Sequence, residues 1–175
     1  MTIARGCAVA PLLTFLISAG LFAQNVLQPL PGQSLSAVPL VASTSRSTSL
    51  TEMTIRWSAN SPESPLRVVA RRRVASHLVR ERDPELAPDE LVVIAADTRG
   101  TAIGWQHVKD PRVIRAEAPG IDGVLSGQTL RRTLADFVVA VPDDLAAAEL
   151  RVYETSWTGR AWTLTPLGTV SAASR

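Results

Sequence analysis

The stretch LVVIAADTRGTAIGWQHV, residues 91–108, decides the fold class. Leu91 to Ala96 is an unbroken apolar run built around Val92, Val93 and Ile94, and it is too short for an ordinary buried helix. Asp97-Thr98-Arg99-Gly100 carries turn chemistry, and Ala102 to Val108 returns with Ile103 and Trp105 on one face. Two apolar runs joined by a short glycine-containing loop predict a β-hairpin.

The pattern continues in both directions. Upstream, Met53, Ile55 and Trp57 alternate with Glu52, Thr54 and Arg56, the period of a half-buried strand. Leu66 to Val74 alternates as well, with Arg67, Val69, Arg71 and Arg73 opposite Leu66, Val68, Ala70 and Val74. Arg72 falls on the apolar face, which predicts a bulge or a strand end there. Downstream, Val113–Ala118 and Ala135–Val141 read as strands, and Glu149–Thr155 with Arg160–Thr165 as a last hairpin. Leu145 to Ala148 reads as one helical turn capped by Asp143 or Asp144. Ala75 to Asp89 fits either a short helix or an extension of the preceding strand. Eight short strands without long helical patterns between them predict an all-β chain. The expected form is an antiparallel β-sandwich, immunoglobulin-like or jelly-roll-like, with a barrel as the alternative.

The N-terminus carries a different signal. Arg5 precedes an apolar run from Ala8 to Phe22, and Ala23 is a small residue suited to cleavage, so residues 1–23 are expected to be a signal peptide. An uncleaved inner-membrane anchor is the alternative, weakened by Pro11 and Gly20. Export leads to the periplasm or beyond the cell. It also removes Cys7, the only cysteine, so disulfides, thiolate zinc sites and iron–sulfur clusters are not expected in the mature chain. Residues 24–49, with Pro29, Pro31 and Pro39 among many Ser and Thr, read as a flexible linker ahead of a domain at 50–170.

All but one of the eighteen cationic residues are arginine, with Lys109 the exception. The formal charge of +2 leaves no strong overall field. The densest cluster, Arg71-Arg72-Arg73 with Arg67, Arg80 and Arg82 nearby, suits a solvated strand. An exported chain seldom meets nucleic acid, so none is expected as a partner.

Chemistry-bearing patterns are sparse. His77 and His107 lack metal-ligand spacing, and Gly123-Val124-Leu125-Ser126-Gly127 places its serine one position too late for a nucleophile elbow. Asp83, Glu85, Asp89 and Glu90 lack the spacing of a calcium loop. No catalytic residue, metal or cofactor is therefore expected. Trp57 and Trp105 share faces with core residues, whereas Trp157 and Trp162 flank the last turn. Exposed tryptophans stack on sugar rings or anchor protein interfaces. The expected ligand-binding residues are Trp157, Trp162, Arg71 and Arg73. The expected function is an exported, non-catalytic binding or accessory module of the bacterial cell envelope, with an envelope protein or glycan as partner. A small hydrolase with a dispersed site at His77 or His107, and a subunit pairing through a strand edge, are the alternatives.

Overall fold

A computed structural model describes residues 27–78, 84–119 and 125–173. The expected signal peptide, Cys7, Arg80, Arg82 and Asp83 lie outside these residues. The chain is all-β, and every ladder between its strands is antiparallel. In chain order the strands are β1 (Leu30–Pro31), β2 (Leu50–Ser58), β3 (Leu66–Val74), β4 (Glu90–Ala96) and β5 (Ala102–Lys109). They continue with β6 (Val113–Pro119), β7 (Leu125–Arg131), β8 (Leu134–Pro142), β9 (Glu149–Trp157) and β10 (Trp162–Ser171). Three sheets result, ordered β1-β10-β9-β4-β5, β3-β2-β8 and β6-β7.

The 91–108 hairpin forms as β4 and β5. The Asp97 carboxylate accepts the backbone N–H groups of Arg99 and Thr101, and Gly100 takes the left-handed φ of +81° that the turn requires. A register shift between Ala95 and Ala96 leaves Ile103 as an extra residue on β5. Ile103 and Trp105 therefore do not share a face. Ile103 packs into the core between the two larger sheets, and Trp105 packs on the opposite side of its own sheet.

The main core lies between those sheets. Met53 and Ile55 of β2 and Val139 of β8 meet Leu91 and Val93 of β4 and Leu150 and Val152 of β9. Each such side chain, fully removed from water, stabilises the fold by about 1.5–3 kcal/mol. The alternate residues of β4 and β9 are buried too, because Val92, Ile94 and Tyr153 form a second cluster with Leu35, Trp105 and Leu164. Burial on both faces explains why 91–96 reads as a continuous apolar run.

Residues 30–44 cover that second face, and this corrects the expectation of a loose linker there. β1 pairs with Leu164 and Thr163 at one edge of the five-stranded sheet. A 3-10 helix, Gly32–Ala37, then crosses the face and buries Leu35. At the far edge Pro39 accepts the backbone N–H of Trp105, and helix α1 (Val41–Thr44) buries Val41. Prolines break regular periodicity but do not prevent docking, since Pro31 and Pro39 need only accept hydrogen bonds here. The segment is a strap.

Two further expectations are corrected. No helical turn forms at 145–148. Instead Asp144 accepts Ser45 Oγ and the backbone N–H of Arg46, while Asp143 accepts Thr51 Oγ1 and Arg73. The bulge on β3 falls at Val69 rather than Arg72, because Thr54 pairs with Ala70 and Ile55 with Val68. That single extra residue reverses the parity beyond it. Arg71 and Arg73 come to lie opposite Met53 and Thr51, on the row that faces the other sheet, and Arg72 lies opposite Glu52 on the outer face.

The sheets meet at two seams, each joined by a side chain where no ladder runs. Gln106 of β5 donates to the Ala140 carbonyl of β8. Arg71 of β3 donates to the carbonyls of Ser171, Ala172 and Ala173 at the end of β10. The β6–β7 hairpin is held to the body by an ion cluster. Arg112, whose side chain is 4% exposed, pairs with Asp110 at 2.6 Å and Glu154 at 3.1 Å, and Arg131 reaches Glu154 at 2.7 Å. The Arg112 guanidinium also lies 5.0 Å from the ring centre of Trp57. Burial opposes the charge on Arg112, yet the hydrogen bonds and charges of Asp110 and Glu154 outweigh it and raise its pKa.

Candidate functional site

The end of the β9–β10 hairpin carries the most exposed aromatic surface among the described residues. Its turn is closed by Thr158, whose N–H and Oγ1 both donate to the Ala161 carbonyl, while Gly159 supplies a φ of +89°. Trp157 and Trp162 are directly opposed across this hairpin. Their ring centres lie 5.4 Å apart with planes tilted by 55°, an arrangement favoured by the aromatic quadrupole.

The two rings differ in support. Trp162 rests against the strap, and a Cβ added to Gly32 would approach its Cβ to 2.6 Å. Only glycine lets the strap come so close at that point. Trp157 leans on Trp162 and remains 53% exposed. Arg160, in the turn beside them, is exposed and makes no ion pair among the described residues. One indole is thus fixed, a second is held against it with a free face, and a cation stands nearby. Such a site can stack a flat apolar ring face and hydrogen-bond a polar rim.

Arg71 and Arg73, the other expected binding residues, lie elsewhere. Arg71 sits near Ser171, nine residues along β10 from Trp162, a distance of roughly 30 Å at about 3.3 Å per residue. Its guanidinium holds β10 carbonyls, and Arg73 is paired with Asp143 at 2.6 Å. The four residues therefore form two separate places. The bulge at Val69, which has no sequence signature, is what turns the two arginines onto the row that faces the other sheet, where Arg71 reaches β10 and Arg73 reaches Asp143.

Of the histidines, His77 is exposed. His107 Nδ1 lies 2.9 Å from Glu90 Oε2, which also accepts the backbone N–H of Ala87. Both side chains are largely buried. A histidine oriented by a carboxylate supplies two of the three members of an acyl-transfer triad. Two residues that sequence reading missed also matter here. Glu154 organises the ion cluster, and Gly32 seats Trp162; neither lies in a recognisable motif, because both act through tertiary neighbours. No protein-family profile matches this chain, and comparison with curated proteins and with solved structures finds no significant match.

Proposed function

We propose that this chain is an exported, non-catalytic binding module of the cell envelope, and that it holds a glycan through the Trp157–Trp162 hairpin end. The observation that carries the reading is the half-exposed Trp157 ring, braced by Trp162 on a strand pair that the strap backs. Preorganised indoles bind with little loss of side-chain freedom, which suits a recognition surface. The export expectation supports the choice of ligand, because envelope glycans present the apolar faces of pyranose rings.

The test is retention of the purified protein on insoluble cell-wall glycan. Trp157→Ala should abolish retention while the thermal unfolding transition persists; equal retention of the variant would refute the reading. The His107–Glu90 pair favours one second reading, a small hydrolase. In that case His107→Ala would remove turnover of envelope esters or glycosides, and Trp157→Ala would change KM alone.

A further inference from the structure

The polar groups at the end of the β9–β10 hairpin narrow the choice of ligand. Trp157 and Trp162 are paired across the hairpin, and Thr158 to Ala161 form the turn between them. Arg160 stands two positions before Trp162, so their Cα atoms lie within about 7 Å by chain length alone. The closure between Thr158 and Ala161 keeps Arg160 close to Trp157 as well. Arg160 nevertheless stacks on neither ring, since the cation held over a ring among the described residues is Arg112 on Trp57. The exposed Trp157 face is therefore open, with a long cationic side chain rooted beside it.

The available side-chain groups here are all of one kind. The indole N–H groups of Trp157 and Trp162 make no hydrogen bond among the described residues, and an indole can only donate. Arg160 adds only N–H donors, and it makes neither ion pair nor hydrogen bond among those residues. The Thr158 hydroxyl is already used, donating to the Ala161 carbonyl and accepting the Ala161 N–H. Ser156 and Thr163, next along the strands, bond one another and belong to the opposite face. Both carboxylates of the hairpin are held elsewhere, Glu149 by Arg151 and Glu154 by Arg112 and Arg131. The hairpin end thus offers donors and an uncompensated positive charge.

A sugar hydroxyl both donates and accepts, whereas a carboxylate only accepts. A rim of donors therefore favours a carboxylate, and a guanidinium takes one through two parallel hydrogen bonds. Resting on the glycan reading of this hairpin end, we propose that its ligand is an acidic glycan. A pyranose stacks on the free face of Trp157, and Arg160 binds the carboxylate that the same sugar or the adjoining one carries. Neutral oligosaccharides bind through the ring stack alone, and the carboxylate sets the selectivity.

Two matched pairs of oligosaccharides are titrated into the full chain by calorimetry. One pair is an oligouronate and its carboxyl-reduced form; the other is an N-acetylglucosamine–N-acetylmuramic acid oligomer and its carboxyl-reduced form. The acidic member of at least one pair should bind about tenfold tighter than its reduced partner, and the pair that shows this identifies the source of the carboxylate. In Arg160→Gln that ratio should fall to about one. This variant removes no ion pair or hydrogen bond of the fold among the described residues, so the loss is not one of folding. Arg99→Gln removes the same charge from the β4–β5 turn, at the far end of the sheet from Trp157, and should keep the ratio. Equal affinity within both pairs would overturn the proposal and leave the glycan reading standing. A preference that survives in Arg160→Gln, or one lost equally in Arg99→Gln, would overturn it too. Binding of neither member of either pair would overturn the proposal and the glycan reading together.

Discussion

Replacing Gly104 with alanine tests whether the strap is a fixed part of the fold. A Cβ at position 104 would stand 2.8 Å from Val41 Cγ2 and 3.5 Å from Val41 Cα. The side chain of Val41 is stiff about χ1 and fully buried, so the overlap cannot be relieved by a simple rotation. Overpacking of this kind costs about 1–3 kcal/mol. A loose strap predicts the opposite sign, because Gly→Ala in a strand with ordinary φ stabilises by about 0.4–1 kcal/mol through the unfolded chain. Val41→Ala removes two methyl groups from a buried site and should cost roughly 1.5–2.5 kcal/mol. In the double variant the new Cβ at 104 occupies space that Cγ2 vacates, so the total should stay near the Val41→Ala value alone. Urea denaturation with a common m-value measures all three. A coupling of about 1–2 kcal/mol is expected. Stabilisation by Gly104→Ala, or additivity within about 0.5 kcal/mol, would refute the docked strap.

Further expectations concern charge. Arg112→Ala should destabilise by about 3–5 kcal/mol in denaturant titration, since it strands the buried Asp110 carboxylate, and Arg112→Met with Asp110→Asn should recover most of the loss. Asp136, Asp143 and Asp144 are all held below their ordinary pKa, Asp136 by its Arg56 hydrogen bond, Asp143 first by Ser49 and Asp144 first by Ser45. A lowered folded-state pKa means stability that is complete above the ordinary carboxylate range and is lost as pH falls from that range through the lowered folded-state value. The melting temperature should therefore be flat near neutrality and fall in acid, and Asp144→Asn should make the acid limb shallower.

The all-β class was readable because period-two alternation and turn residues are local. Leu66–Val74 was delimited to the residue, and the 91–108 hairpin came directly from its apolar runs and its Asp97–Gly100 turn. β7 escaped notice because Leu125–Arg131 is glycine-containing and polar on both sides. The strap escaped because Leu30, Leu35 and Val41 are spaced by no single period, and their burial depends on a sheet assembled from strands far along the chain, β4, β5, β9 and β10. Register shifts at Val69 and Ile103 were invisible for the same reason, and each moved side chains to the other face. The tryptophan pair was legible as two aromatics around a turn. Its asymmetry, one ring seated on Gly32 and the other free, required the fold.

The most direct measurement of the proposed binding role follows the indole N–H signals of the four tryptophans by NMR during titration with a β-linked N-acetylamino-sugar oligosaccharide. Trp157 and Trp162 should shift together and saturate, while Trp105, buried beneath the strap, stays still. Saturable binding that leaves Trp157 unmoved, or no binding to any envelope glycan fragment, would contradict the account.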